Sequence, residues 1–154
     1  MNEQLPYFYE TEVEWTGARK GAMRALDLPM IEVAAPPEFK GHEGIWTPEH
    51  LYVASVNLCF MTTFLAIAEL SKLEFANFTC KANGKLEKIE GQGFKMTEIT
   101  LYPTLTIRHS RDVERANRIL EKTEANCLIS NSIHTVVKLE PEIKIEELKG
   151  TATA

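Results

Sequence analysis

The chain has 154 residues, of which 44% are hydrophobic and 25% charged, and this composition is typical of one soluble globular domain. The net charge of -5 argues against nucleic acid as a partner, because no basic stripe is present to neutralise phosphates. Three cysteines, an odd number at wide spacing, exclude the disulfide framework of a small secreted protein. We therefore expect a single domain over residues 1–154, in the cytoplasm, with its thiols reduced.

No segment has the pattern of a signal peptide or a membrane span. The opening sequence MNEQLPYFYE lacks a cationic start followed by an apolar run. The most apolar stretch, residues 51–68, is interrupted by four polar side chains: Ser55, Asn57, Thr62 and Thr63. We therefore expect no membrane partner.

The N-terminal third predicts strands and turns. Residues 7–15 alternate between polar and apolar side chains in the manner of a strand, and residues 16–21 supply a turn. Residues 22–33 favour a returning strand that is interrupted at Pro29. Two prolines and two glycines predict a loop over residues 35–44.

A long helix is predicted next. Thr47 is placed as its N-cap, with Pro48 at the first helical position and Glu49 in the first turn, and the helix continues to about Ser71. Apolar residues cover most of its circumference, which is typical of a helix buried on nearly every side.

Two long strands are predicted after this helix, over residues 75–89 and 94–108. The segment EGQG between them is the best place for the chain to reverse. Asn83-Gly84 is a second turn signal in the same region.

The C-terminal third predicts a helix followed by a strand. Residues 110–125 carry a helical apolar stripe, and residues 126–135 favour the start of a further helix. Residues 136–148 alternate like a strand, with Pro141 placing the later part at a sheet edge. The order β-β-α-β-β-α-β predicts an α+β fold with a long buried helix on a largely antiparallel sheet.

The residues alone do not decide which thiol is reactive. Cys59 lies about three turns into the long helix, where the helix dipole has faded, and a free cysteine there is more often core packing. Cys127 is the better thiolate candidate by this local criterion, because it is predicted near a helix start. Cys80 alternates with Phe78 and Ala82 in a strand and is predicted to be packed.

The sequence predicts no metal site. There is no C-x-x-C motif, and the histidines show no pairing at the spacing of zinc ligands. They are His42, His50, His109 and His134.

Three segments together resemble the OsmC/Ohr family of thiol peroxidases. TPEHLYVASVNLCF resembles the family's Pro-Glu-x-Leu…Cys-Phe segment, CLISNSI its second cysteine segment, and WTGARKG its Gly-x-Arg-x-Gly turn. The matches occur in the family's order and at its separations, between residues 15 and 133. Two departures indicate a divergent, OsmC-like member: Leu128 stands where members often carry proline, and polar Asn57 precedes Cys59 by two residues.

The resemblance implies roles for four residues. Cys59 would be the peroxidatic cysteine, oxidised to a sulfenic acid by an organic hydroperoxide, and Cys127 the resolving cysteine that closes an intramolecular disulfide. Arg19 would be the cation beside the Cys59 thiolate, and Glu49 would hold that guanidinium in place. The resemblance also implies an interwoven homodimer, and an external dithiol, for example a lipoyl dithiol, as reductant. It implies no metal, haem or flavin.

These residue types suit peroxide reduction. An ordinary thiol has a pKa of about 8.5, so only a few per cent is thiolate at neutral pH. A guanidinium within hydrogen-bonding distance favours the anion and stays charged in an apolar pocket. The apolar neighbours of Cys59 favour an organic hydroperoxide over hydrogen peroxide; they are Leu58, Phe60, Met61 and Phe64.

The spacing of two of these residues predicts a composite site. Glu49 and Cys59 are ten residues apart, about 15 Å along a straight helix, so they cannot touch directly. A dimer that packs the two central helices together would bring Glu49 of one subunit near Cys59 of the other. We therefore predict an active site at a dimer interface.

Other interpretations of the same residues are open. Arg19 in a glycine-flanked turn is more often a solvated surface charge. Glu49 can be only a first-turn helix acid, with an effect of some tenths of a kcal/mol. The alternative function is a non-enzymatic binding protein that holds a small hydrophobic ligand at the dimer interface. A purely structural dimer is the third interpretation.

Overall fold

The computed structural model describes residues 6–146, which form two compact units that divide between Leu51 and Tyr52. The strands within these residues are β1 (Glu12–Gly17), β2 (Lys20–Arg24), β3 (Ile31–Ala34), β4 (Phe75–Ile89), β5 (Gly93–Ile107), β6 (Val136–Leu139) and β7 (Glu142–Ile145). The helices are α1 (Pro48–Leu70) and α2 (Val113–Asn126), with short 3-10 turns at Pro37–Phe39, Ser110–Asp112 and Ser130–Ser132. The predicted α+β class is confirmed.

The first unit is a three-stranded antiparallel sheet in the order β1-β2-β3. The prediction of one interrupted strand over residues 22–33 is wrong, because β2 and β3 are separate strands joined by a turn. The Leu28 N–H closes this turn on the Ala25 carbonyl at 3.1 Å, and Asp27 has a positive φ of 62°. Pro29 follows it and cannot donate to a strand ladder.

Helix α1 begins as the sequence predicts. The His50 N–H donates to Thr47 Oγ1 at 3.1 Å, so Thr47 is the N-cap and Pro48 is the first helical residue. The helix ends at Leu70, where the Leu73 N–H donates to the Ala68 carbonyl at 2.9 Å. The predicted end, about Ser71, agrees with this to within one residue.

The β4–β5 hairpin forms the centre of the second unit. The chain reverses at EGQG as predicted, and the Gln92 N–H donates to the Ile89 carbonyl at 3.0 Å. The turn signal at Asn83-Gly84 is wrong, because both residues pair with β5 inside strand β4. Gly84 is required there by packing: a Cβ would lie 2.3 Å from Cγ2 of Val53.

The C-terminal strand is split in two. Both parts pair with β5 in parallel, β6 along Glu98–Leu101 and β7 along Thr104–Ile107, so this sheet mixes parallel and antiparallel pairs. Pro141 lies between β6 and β7, where its missing N–H interrupts the ladder. The last two residues of the predicted strand, 147 and 148, lie outside the described residues.

The further helix predicted over residues 126–135 is wrong, because only the 3-10 turn Ser130–Ser132 forms there. Cys127 therefore caps the C-terminal end of α2, with extended backbone at φ −70° and ψ 106°. It does not lie at a helix start.

The core of the second unit lies between one face of α1, strand β5 and helix α2. Phe60 and Phe64 of α1 are fully buried, and Phe64 stacks on Phe78 with ring centroids 4.6 Å apart. The opposite face of α1 leaves Leu58 and Leu65 exposed, at 58% and 40%. The expectation that α1 is buried on nearly every side is therefore wrong for a single chain.

Helix α1 is long and apolar enough to cross a membrane by length and composition. The core helices of globular proteins often meet the same criteria, and the buried face of α1 packs in the core of the second unit. The absence of a membrane partner stays a prediction.

Candidate active site

Two cysteines from distant parts of the sequence meet in the second unit. Helix α1 presents Cys59 about three turns from its start, and the end of α2 presents Cys127. The two side chains form a hydrogen bond, in which the Cys127 S–H donates to the Cys59 sulfur. Both thiols are free and buried, with exposed fractions of 9% for Cys59 and 0% for Cys127. The two thiols are therefore neighbours in the fold.

The surroundings of Cys59 favour its thiolate. Burial alone would raise the pKa of Cys59, but hydrogen bonds from the Ile129 backbone, Cys127, Thr63 and the Leu128 backbone outweigh it, and the pKa lies below its ordinary value. Thr63 lies one helical turn further on, with its Oγ1 3.9 Å from Cys59 Sγ. Cys59 therefore carries negative charge more readily than an unperturbed thiol.

The surroundings of Cys127 favour its protonated form. Burial raises the pKa of Cys127, and the neighbouring Cys59 raises it further, although hydrogen bonds from Ser130 act in the opposite direction. The local criterion that favoured Cys127 as the thiolate is therefore wrong. Cys127 lies at the C-terminal end of α2 and not at a helix start.

Sequence reasoning missed the backbone donors to Cys59. The backbone of Ile129 contributes more than that of Leu128 to the lowered pKa of Cys59, and both residues lie in the turn that follows Cys127. A backbone amide has no signature in residue type, so no motif could identify it. The one available signal was that position 128 is not proline, so that it keeps an N–H.

Arg19 and Glu49 lie in the first unit. Arg19 is exposed in the β1–β2 turn and lines an apolar groove of about 630 Å³ together with Trp15, Pro48 and Leu51. Glu49 occupies the first turn of α1, and its Oε2 is shielded from water without a hydrogen-bond partner among the described residues. No ion pair joins Arg19 to Glu49 within residues 6–146. Their predicted roles stay predictions.

The apolar residues next to Cys59 in sequence do not form one lining. Phe60 and Phe64 point into the core, and Leu58 is exposed, so the predicted apolar surround of the thiol is wrong for a single chain. The helix period causes this, because neighbouring positions face different directions. The side chain of Asn57 donates to the Cys80 carbonyl at 3.0 Å.

Cys80 has the environment of a packed thiol. It lies half-buried on β4, and burial raises its pKa to about 11, although a hydrogen bond from the Tyr102 backbone acts in the opposite direction. The prediction that Cys80 is packed in a strand is confirmed. Within residues 6–146, no group of three His, Cys, Asp or Glu side chains is arranged to hold a metal ion.

Comparison with known proteins identifies the family. Residues 41–142, more than half of the chain, match the family described as OsmC-like protein. A relative, the uncharacterized protein YmaD of Bacillus subtilis (strain 168), is 25% identical over 145 residues, covering 91% of this chain and 95% of the relative.

Solved structures share the fold at low sequence identity. An OsmC-like protein of unknown function from Vibrio cholerae is similar at a TM-score of 0.81 and 22% identity, covering 88% of this chain and 99% of that one. An organic hydroperoxide resistance protein from Elizabethkingia anophelis is similar at a TM-score of 0.74 and 21% identity, covering 94% of this chain and 100% of that one. An organic hydroperoxide resistance protein OsmC from Legionella pneumophila is similar at a TM-score of 0.73 and 22% identity, covering 92% of this chain and 99% of that one. The chain belongs to the OsmC-like protein family.

Proposed function

We propose that this protein is a thiol peroxidase that reduces organic hydroperoxides with Cys59 and is resolved by Cys127. The observation that carries the proposal is the buried pair itself: a thiol with a lowered pKa accepts a hydrogen bond from a thiol with a raised pKa. Nucleophile and proton donor are thus adjacent, which peroxide cleavage needs. Two solved structures with this fold are organic hydroperoxide resistance proteins, which supports the substrate class.

In the first step the Cys59 thiolate attacks the terminal oxygen of the hydroperoxide. A sulfur–oxygen bond forms and the O–O bond breaks, leaving Cys59 as a sulfenic acid and releasing an alkoxide. The Cys127 S–H is the proton source for that alkoxide, because it already donates to the reacting sulfur. The product alcohol leaves, and Cys127 becomes a thiolate.

In the second step the new Cys127 thiolate attacks the sulfur of the Cys59 sulfenic acid. The disulfide forms, and the sulfenic oxygen leaves as hydroxide, which takes a proton from the buffered solvent. One peroxide is thereby reduced by two electrons taken from two thiols. An external dithiol, for example of the lipoyl type, then reduces the disulfide and is itself oxidised to a disulfide. Resolution protects Cys59 from irreversible oxidation.

We propose that the working form is a homodimer in which a second copy completes the site. The exposed apolar face of α1, with Leu58 and Leu65, supports this assembly. The unpartnered Oε2 of Glu49 supports it too, because a shielded carboxylate oxygen needs a donor and Arg19 has no ion pair among the described residues. Sedimentation of the intact chain checks the assembly: a monomer at micromolar concentration would contradict it.

Removing the resolving thiol tests the order of the two steps. In Cys127→Ser, one equivalent of cumene hydroperoxide is expected to leave Cys59 as a persistent sulfenic acid, which dimedone labels at Cys59 in peptide maps. The wild type is expected to show little label, because Cys127 consumes the sulfenic acid. Cys80→Ser is the matched control and is expected to behave like the wild type. Absence of a dimedone adduct on Cys59 in the Cys127→Ser protein would contradict the proposal.

A further inference from the structure

Two adjacent threonines follow Cys59 on helix α1 and bond to different parts of it. The Thr62 hydroxyl donates to the Cys59 carbonyl at 3.1 Å. The Thr63 hydroxyl lies 3.9 Å from the Cys59 sulfur and forms a hydrogen bond with it. One threonine therefore bonds to the backbone of Cys59 and the other to its thiol.

The helix explains why the two hydroxyls have different partners. A helical threonine commonly donates to a carbonyl three or four residues earlier. The carbonyl four residues before Thr63 is that of Cys59. It accepts one N–H from the helix ladder and the hydroxyl of Thr62, so both of its lone pairs are occupied. Among residues 6–146, the Cys59 sulfur is the one hydrogen-bond partner of the Thr63 hydroxyl.

The position of Thr63 on the helix suits this contact. Helical side chains lean toward the N-terminus, so a residue at i+4 reaches back over residue i. Thr63 is half-buried and Cys59 is buried, so water competes for the contact less than at an exposed site. Burial raises the pKa of Cys59, and Thr63 is among the groups whose hydrogen bonds together lower it below its ordinary value.

We propose that Thr63 is a positioning residue of Cys59, whose hydroxyl donates to the thiolate and holds the sulfur on that side of α1 while Thr62 occupies the carbonyl. A thiolate carries no proton, so Thr63 must be the donor once Cys59 ionises. The role of Thr63 in peroxide reduction rests on the proposed function, whereas its effect on the thiol does not. Because the donor lies on α1 itself, this effect needs no group from a second copy.

Removal of the Thr63 hydroxyl should have opposite effects at low and high pH. Loss of a donor to the charged form raises the pKa of Cys59, and we expect the thiolate fraction to fall about three- to tenfold at pH below the pKa. The remaining thiolate is more nucleophilic, because nucleophilicity rises with pKa at a Brønsted slope of about 0.4–0.5. Cys59 should therefore react about two- to threefold more slowly at low pH and about two- to threefold faster at high pH.

Three substitutions at Thr63 separate the hydroxyl from the rest of the side chain. Thr63→Val deletes the hydroxyl and keeps a β-branched side chain, and Thr63→Ala deletes the hydroxyl without keeping the branch. Thr63→Ser is the matched control, because it keeps the hydroxyl and loses only the methyl group. The measurement is the rate of iodoacetamide labelling of Cys59 across the pH range in the intact, reduced protein, followed by peptide mapping.

Two other cysteines make the comparison specific. Cys127, the titratable side chain in contact with Cys59, is unchanged in every variant, so its effect is common to all profiles. Cys80 lies on β4, and its labelling in the same samples reports any change in the rest of the fold.

We expect the Thr63→Val and Thr63→Ala profiles to cross that of the wild type, the Thr63→Ser profile to follow it, and the Cys80 profile to stay the same. Either hydroxyl-free variant alone decides the test if the other does not fold. Profiles that coincide would overturn the inference, as would a uniform change at every pH, which indicates only altered access to the thiol. A crossing that Thr63→Ser or Cys80 shares would also overturn it.

Labelling requires no peroxide, so this result is independent of the peroxidase proposal. Crossing profiles in a protein that consumes no peroxide would support the inference and contradict the proposed function. Coincident profiles in an active peroxidase would do the reverse.

Discussion

Replacing Cys59 by serine is expected to reduce the rate of cumene hydroperoxide consumption at least about a thousandfold, because a neutral hydroxyl replaces a thiolate nucleophile. The change alters one atom, and the side chain is only 9% exposed, so the fold should be retained. The measurement is the loss of peroxide under a saturating dithiol, with circular dichroism to verify the fold.

Cys80→Ser is the matched control for this experiment. It makes the same chemical change at a half-buried thiol on β4 whose raised pKa keeps it protonated. The control should retain the wild-type rate. If the rate of peroxide consumption falls equally in the two variants, or does not change in Cys59→Ser, Cys59 is not the nucleophile.

Phe64→Ala is expected to produce the largest change in stability, lowering the free energy of unfolding by about 3–5 kcal/mol. The Phe64 ring is fully buried, stacks on Phe78 at 4.6 Å and meets Phe75 edge-on at 5.3 Å. Its removal leaves a cavity between α1 and β4 and abolishes two aromatic contacts. Urea unfolding at a fixed protein concentration measures the difference.

Phe94→Ala is the control for Phe64→Ala, because it removes the same ring from a position that is 55% exposed. Lys88 lies over the Phe94 ring at 5.8 Å, so a cost of up to about 1 kcal/mol is expected from that contact. Similar losses in the two variants would contradict the assignment of Phe64 to the core.

The local chemistry of the sequence predicted the start of α1 and the β4–β5 turn. Thr47 and Pro48 act within one helical turn, and the segment EGQG lies between two runs of alternating residues, so neither depends on distant contacts. The turn predicted at Asn83-Gly84 is wrong because the glycine there depends on a distant contact. Gly84 is selected by the approach of Val53 from α1, a tertiary contact that no short window contains.

The candidate site was predictable only in part. The resemblance paired Cys59 with Cys127, whereas the local criterion chose Cys127 as the thiolate because it expected a helix start there. The surroundings of Cys59 lower its pKa instead, through groups that include the backbone of Ile129, a residue far along the chain. Such an effect depends on tertiary structure and has no local sequence pattern.

The most direct test of the account is to add one equivalent of cumene hydroperoxide to the fully reduced protein, follow the loss of peroxide and map new disulfides by mass spectrometry. We expect rapid stoichiometric loss of the peroxide with a single new disulfide between Cys59 and Cys127, and Cys80 left reduced. Intact peroxide with all three thiols free would contradict it. That outcome would favour instead a binding protein that holds a small hydrophobic ligand on the same fold.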